Sequence, residues 1–494
     1  MVLKTVMVVL ALMLVGEVQA QCPDGTPPPC AGTPIRTASP WSVAVLPFHN
    51  LTRDTADAFL ADGLTEELII RLSQVRRLDV KSRFESERAR PRAAGDPRAL
   101  GRELRAAYLV TGSLQQAGQR IRLRVALVRA ATGVQVWGDV YDRVGTDILT
   151  IQSDISRAVA SAITSQLLPD ERAALARRPT NDPIAFNLYL RGVGAINTIA
   201  EPAIREGLDY LDRAIAVDSD FAQAYAYQAL AWVLLADGYV VAREGYARSR
   251  QAAAQALDRD STIALAWAAL AWAVLAVDHD TPRALRLARR AVDLDPHLPL
   301  AHLALANTLS LAGASPDSIS ASARHAWEAD TLSTVNAITY LWILHRLRRA
   351  DTLSAMLSRM QTVLTAEEFR TFDGLVRLLR GDAAGAAERL SWTHYGGDVA
   401  GEYVRSLLAV GRRDAAFAVL DSIRQYAARA YYNPYNIAKA YAALGEADSA
   451  FALLDRAYEQ RTTYLLWLDA DVGFERLRTD PRWATLRRRI GLAR

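Results

Sequence analysis

Four segment endings recur through the second half of the chain: Ala214-Ile-Ala-Val-Asp218-Ser219, Ala256-Leu-Asp-Arg-Asp260-Ser261, Ala291-Val-Asp-Leu-Asp295-Pro296 and Ala326-Trp-Glu-Ala-Asp330-Thr331. Their aspartates lie 42, 35 and 35 positions apart (218 to 260, 260 to 295, 295 to 330). A second echo follows three of them, Phe221-Ala-Gln-Ala224-Tyr225, Ile263-Ala-Leu-Ala266-Trp267 and Leu298-Pro-Leu-Ala301-His302. Two registers repeating together at about 34 residues require a supersecondary unit that buries its apolar face against copies of itself. Everything after Pro183 is helical in pattern, so the unit is a helix pair and the back half an all-α solenoid.

The later register resembles tetratricopeptide repeats. Its best copy runs Ile437-Ala-Lys-Ala440-Tyr441-Ala-Ala-Leu444-Gly445-Glu-Ala-Asp448-Ser-Ala450-Phe451-Ala-Leu-Leu454-Asp-Arg-Ala457. Tyr441 is expected to pack between helices, Gly445 to allow the turn, and Ala450 and Ala457 to keep the paired helices close. Five copies are clear and eight are expected in all, with degenerate ones between Thr331 and Tyr432. The resemblance implies protein binding.

The front half reads differently. Ser42-Val-Ala-Val-Leu-Pro-Phe48 is an apolar run ended by proline, which suits a buried strand. Thr55 to Val75 carries Leu60, Leu64, Leu68 and Leu72 at spacing four and predicts an amphipathic helix. A second strand is expected over Leu78 to Ser82, and a helix over Asp96 to Leu104, where an N-cap aspartate precedes a proline at the first helical position. From Tyr108 the period falls to two, with Ile121, Leu123, Val125 and Leu127 on one face and Arg122 and Arg124 on the other. Turns near Gly118 and Gly133 divide Tyr108 to Tyr141 into three antiparallel strands, and Ile148 to Leu167 restores a helical stripe. One small α/β or α+β domain with a mixed sheet results.

This segment resembles the TolB amino-terminal-like domain that precedes tetratricopeptide repeats in bacterial regulators. The likeness is carried by Val43-Ala-Val-Leu-Pro-Phe48, Ala61-Asp62-Gly63-Leu64-Thr65-Glu66-Glu67-Leu68, Leu100-Gly101-Arg102-Glu103-Leu104, Gly112-Ser113, Ala131-Thr132-Gly133, Trp137 and Tyr141-Asp142-Arg143. The closing segment Phe474 to Trp483 is similar to the tail of such proteins. In that family the two modules accompany a kinase, a cyclase or a winged-helix DNA-binding domain, and none of these is read in this sequence. The Arg-rich stretch Phe84 to Asp96 departs from the family pattern.

The first twenty residues combine one lysine, an apolar run from Val6 to Val15 and the small-residue ending Val18-Gln19-Ala20, the composition of a cleaved secretory signal. A periplasmic or secreted location follows, the alternative being membrane anchoring through an uncleaved N-terminus. Gln21 to Pro40 reads as a proline-rich linker. Its Cys22 and Cys30, the only two cysteines, are expected to form a disulfide in an oxidising compartment, since no histidine or third cysteine lies nearby to complete a metal set. The expected organisation is signal peptide 1–20, linker 21–40, α/β domain 41–168, linker 169–183 and helical array 184–494. The longest uncharged stretch, Ser261 to Val277, would span about 25 Å as a helix, short of a bilayer core of about 30 Å.

Chemistry is sparse. A formal charge of +4, from 58 basic and 54 acidic residues, gives no nucleic-acid footprint. Lysine occurs only at Lys4, Lys81 and Lys439, none after a glycine, so no phosphate-binding loop is present. Gly112-Ser113 lacks the glycine spacing of a nucleophile elbow, and Gly112 reads as a site of close backbone approach. Of the seven histidines (His49, His279, His297, His302, His325, His345 and His394), only His297 and His302 are suitably spaced for a shared metal, and Pro299 breaks the helical face between them. His302 is expected to fill the aromatic position of Tyr225 and Trp267. Asp62, Glu66 and Glu67 read as solvated carboxylates, and Asp469 and Asp471 as turn and capping residues. No catalytic set, cofactor or metal site is expected.

Leu230, Val233, Trp272 and Leu275 fall where a tetratricopeptide array ordinarily lines its groove, inviting a partner helix or peptide; the competing reading buries them against the α/β domain. The function expected is an exported, non-enzymatic scaffold that docks a protein of the cell envelope. The alternatives are a sensor or regulatory subunit of a signalling system and, from another class, an envelope hydrolase. Oligomeric state is not legible.

Overall fold

The computed structural model describes residues 39–52, 58–75, 77–81, 85–86, 95–117, 120–144, 148–164, 167–236, 238–331, 333–391 and 399–492. The expected signal peptide, the cysteine pair, most of the Arg-rich stretch after Phe84 and His394 lie outside them.

The five expected strands form as short or long pieces of one sheet, β1 (Ser42–Val45), β3 (Asp79–Val80), β4 (Tyr108–Ala117), β5 (Arg120–Arg129) and β6 (Val134–Val144), joined by a two-residue strand the sequence did not announce, β2 (His49–Asn50). Their order is β3-β1-β4-β5-β6, with β2 pairing β4 beyond the end of β1. β1 is parallel to β3 and β4, whereas β4, β5 and β6 form an antiparallel meander, so the sheet is mixed. The parallel half requires crossover helices, which α1 (Ala58–Ser73) and α2 (Pro97–Leu104) supply. Asp96 caps α2 by accepting from the Arg98 N–H, as its position before Pro97 predicts. Leu64 and Leu68 of α1, with Ile155 and Val159 of α3 (Ile148–Thr164), pack on Val43, Val45, Leu123 and Leu127. On the opposite face Leu100 and Leu104 of α2 share a smaller core with Ala44, Leu46, Ala106, Leu109 and Ala130. At Gly112 a Cβ would lie 2.9 Å from the Phe48 ring and 2.8 Å from the Arg124 carbonyl, which is why that strand position has no side chain.

The segment expected as the 169–183 linker is folded. Pro169–Ala176 is a helix, α4, because Pro169 stands at its entrance and Asp170 and Glu171 occupy its first turn, where acidic groups face the positive helix end. Glu171 is buried, takes the Arg77 guanidinium at 2.8 Å and accepts the Leu168 N–H at the same distance. Further on, Thr180 donates to Asp218.

Among the described residues eight helix pairs follow: α5 (Pro183–Ile196) with α6 (Glu201–Val217), α7 (Ala222–Leu235) with α8 (Ala242–Arg259), α9 (Ala264–Ala273) with α10 (Thr281–Leu294), α11 (Pro299–Leu311) with α12 (Pro316–Ala329), α13 (Thr334–Arg346) with α14 (Ala350–Arg359), α15 (Ala366–Leu379) with α16 (Ala383–Arg389), α17 (Ala400–Ala409) with α18 (Arg413–Ala427), and α19 (Pro434–Leu444) with α20 (Ala447–Glu459). The degenerate stretch after Thr331 thus holds three regular pairs. Alanines close the contacts, with Ala224, Ala253, Ala266, Ala288, Ala301, Ala450 and Ala457 all buried. Gly445 ends α19 at φ 89°, a left-handed turn that only glycine adopts without strain.

The array does not stop at the last pair. Two 3-10 turns, Thr463–Trp467 and Val472–Leu477, and α21 (Pro481–Ile490) turn back against its middle. Arg243 N–H donates to the Gln460 carbonyl at 2.8 Å. His279 Nδ1 donates to the Ile490 carbonyl at 3.2 Å, and the Trp467 indole to Asn307 at 3.1 Å. Leu466 and Trp467 share a core with Ala306, Ala337 and Leu341, so the inner side of the first helices is filled there by the chain's own C-terminal segment.

Candidate functional site

The densest group of buried ionisable side chains lies where that segment meets α13, α17 and α19. Trp342, His345 and Arg346 share one face of α13 through their three- and four-residue spacing, as do Tyr435 and Lys439 on α19. Glu402 comes from the first turn of α17. Asp471 caps the second 3-10 turn through the Gly473 N–H, and its other oxygen accepts the Tyr435 hydroxyl at 3.0 Å. Lys439 Nζ donates to both Glu402 oxygens, at 2.8 and 3.0 Å, and stands 3.7 Å from Asp471. His345 Nε2 is 4.0 Å from Glu402.

Burial sets the electrostatics. It opposes charge on Asp471, but the Lys439 ammonium, the Gly473 amide and the Tyr435 hydroxyl outweigh it and hold the carboxyl below its usual range. Burial, reinforced by Asp471, raises Tyr435 well above the ordinary phenol value. His345 is pushed down to about 3 by burial, only partly offset by Asp471, and is a neutral imidazole at physiological pH. The Arg346 guanidinium lies 5.9, 5.4 and 5.2 Å from the ring centroids of Trp342, Tyr464 and Trp467, an aromatic box for a cation. Trp342, His345, Arg346, Glu402, Tyr435, Lys439 and Tyr464, with Ala470 to Val472, line one small cleft. An ammonium held between carboxylates is not a nucleophile, so the arrangement is suited to holding charge and clasping the C-terminal segment.

A second polar cluster joins the α/β domain to the array. Glu67 and Arg71 pair at 3.3 Å with both side chains buried, and Arg71 also donates to the Leu175 carbonyl at 3.1 Å. Burial pushes Glu67 up to about 7 against the pull of Arg71. Tyr227 of α7 reaches Glu66 at 3.5 Å. The expectation of solvated carboxylates on α1 is therefore corrected for Glu67: its helix face, outward in an isolated α/β domain, is covered by α4 and α5.

None of the four expected groove residues is exposed. Leu230 is half-buried against the core that α7 shares with the α/β domain, and Val233 and Leu275 are buried within the array. Trp272 is half-buried and donates its indole N–H to Tyr246 at 3.0 Å. His302 occupies the register of Trp267, and each donates to the carbonyl six residues earlier, Pro296 and Ser261, at 2.8 Å. In the first copy Tyr225 has no such N–H; Arg259 stacks on it at 4.5 Å and donates to the corresponding Ser219 carbonyl. Asp469 pairs with Arg487, while Asp471 is both a cap and a member of the buried cluster. Among the described residues no three His, Cys, Asp or Glu side chains converge as a metal set. The Lys439, Glu402 and His345 grouping was missed because Glu402 and His345 lie in the degenerate stretch. The one available signal was a lysine, scarce in this chain, placed inside the apolar run Ile437-Ala-Lys-Ala-Tyr441.

Residues 39–143 match the family described as the HilA/YgeH-like transcriptional regulator, second domain. A Rhizobium meliloti (strain 1021) protein named "Putative adenylate cyclase 3" is 30% identical over 269 residues, which is 54% of this chain and 40% of that protein's length. Among solved structures, Pseudomonas aeruginosa PilF (13% identity, TM-score 0.31) covers 44% of this chain and 92% of its own. Yeast Tom70 (12%, 0.36) covers 61% and 66%, and a tetratricopeptide repeat protein of Parabacteroides merdae (10%, 0.30) covers 58% and 96%. The chain joins a small mixed-sheet α/β domain to a tetratricopeptide-like helical solenoid.

Proposed function

We propose that the chain is an exported, non-catalytic scaffold whose helical array docks a protein of the cell envelope. The observation that carries this reading is the architecture itself: eight alanine-closed helix pairs invest side-chain area in an extended surface, and the ionisable groups they bury neutralise one another. The cleaved signal, the Cys22–Cys30 disulfide and the TolB-like character of the α/β domain belong to the same proposal. Capture of envelope proteins by the full chain, followed by reconstitution with the purified candidate and cross-link mapping, tests it. A saturable complex with cross-links on residues 184–459 supports the reading; turnover of generic ester, peptide or glycoside substrates without any such complex overturns it.

The likeness to the Rhizobium protein favours a second reading, a regulatory half of a signalling system. Reconstitution with a cyclase or kinase would then change that enzyme's rate.

A further inference from the structure

The mixed sheet ends on an open strand. Among the described residues β6 pairs only with β5, and its other side meets no strand. A free edge offers a row of N–H and C=O groups to any strand that reaches it, and folded chains blunt such rows with side chains of their own. β6 does so at two points. The Val140 N–H donates to the Asp139 carboxylate at 2.8 Å, and the Asp142 carbonyl accepts from the Arg143 guanidinium at 3.2 Å. Groups turned toward β5 are taken by its ladder, so these two belong to the outer row. Val140 is 55% exposed, and Asp139 and Arg143 are exposed beside it.

We propose that this edge pairs antiparallel with β6 of a second copy of the chain, about a twofold axis at Tyr141. In that alignment Val140 of each copy lies opposite Asp142 of the other, and Asp139 opposite Arg143. Opposed outer-row residues of an antiparallel pair exchange two N–H···O bonds. The Val140 N–H therefore meets the Asp142 carbonyl, so the two groups now capped by side chains satisfy each other. The released Asp139 carboxylate and Arg143 guanidinium face one another across the strands, twice by symmetry. Other alignments lack this match. Centring on Asp139 or Asp142 sets two carboxylates face to face, and centring on Val140 sets Asp139 against Tyr141. A shift by a single residue sets outer-row groups against groups already bonded to β5. Asp142 adds no repulsion, because Arg120 and Arg122 hold its carboxylate at 3.1 and 2.6 Å. The contact joins two copies of the chain and is separate from the docking surface of the array.

Sedimentation velocity of the full chain over a concentration series tests the assignment, with a reversible monomer–dimer equilibrium expected. Asp139→Arg and Arg143→Asp should each weaken the dimer at least about tenfold, since two cross-strand pairs change sign at once. An equimolar mixture of the two variants should associate as the unaltered chain does, because every arginine of one copy then faces an aspartate of the other. Circular dichroism melting checks that both variants are folded. Hydrogen exchange of the unaltered chain needs no variant: protection of residues 138–144 should rise with concentration. A chain that stays monomeric across the series, a dimer indifferent to both substitutions, a mixture of folded variants that does not associate, or protection of β6 that ignores concentration overturns the proposal.

Discussion

Glu67 shows how a single position changes character with its surroundings. Its carboxyl has an ordinary value of 4.5 and is raised to about 7 by burial. The folded chain holds this proton more tightly than the unfolded chain, so the associated stability is complete below pH 4.5 and is lost as pH rises through 7. Chemical denaturation at pH 5 and pH 8 should show the wild type less stable at the higher pH by on the order of 2–3 kcal/mol from this group, a difference that Glu67→Gln removes. Lys439 is the opposite case, a charge that is buried with its partners. Lys439→Met leaves Glu402 and Asp471 without the ammonium that pairs them and should cost about 3–5 kcal/mol, as breaking a buried ion pair does. Adding Glu402→Gln to that variant should recover part of the loss in the same denaturation measurement.

Three first helices of this array owe little to hydrophobic patterning on one face and much to small residues all round, whereas second helices such as α6 and α10 are strongly one-sided. The first helices α7, α9 and α11 are apolar nearly all round, because one side meets the partner helix and the other meets the α/β domain or the C-terminal segment. Trp272 illustrates the consequence. Its indole is half-buried and bonded to Tyr246, so Trp272→Ala should lower the melting temperature, at a cost of about 2–3 kcal/mol, more than it weakens partner capture. A variant that keeps its melting temperature but loses capture would return Trp272 to the groove. Turn carbonyls are satisfied by register: indole, imidazole or a neighbouring arginine reaches the same position in successive copies. That interchange explains why His302 can stand where tryptophan and tyrosine stand in neighbouring copies.

Across the whole molecule the two halves are one folding unit. A single core runs from Val43 through Phe186 and Tyr189 to Leu235, and a Cβ at Gly63 would lie 2.7 Å from the Leu190 Cβ. Gly63→Leu should therefore separate α1 from α5 and split thermal unfolding into two transitions by calorimetry. The C-terminal segment is equally integral. Trp467→Ala removes its bond to Asn307 and a buried ring, and should cost about 3–5 kcal/mol with faster amide exchange from residue 462 onward, read by hydrogen-exchange mass spectrometry.

Periodicity and punctuation alone determined most of the order of strands and helices, the sheet's alternation at Ile121 to Leu127, the caps at Asp96 and Gly445, and the helix-pair character of the back half, because these depend on residues a few positions apart. Tertiary contact decided the rest. Whether α4 would fold onto the α/β domain, whether Leu230 and Leu275 would line a groove or a core, and whether Lys439 would meet Glu402 and Asp471 all depend on segments tens of residues distant. No local spacing encodes such meetings, since the C-terminal turns reach the middle of the array only after every intervening pair has added its small rotation to the stack.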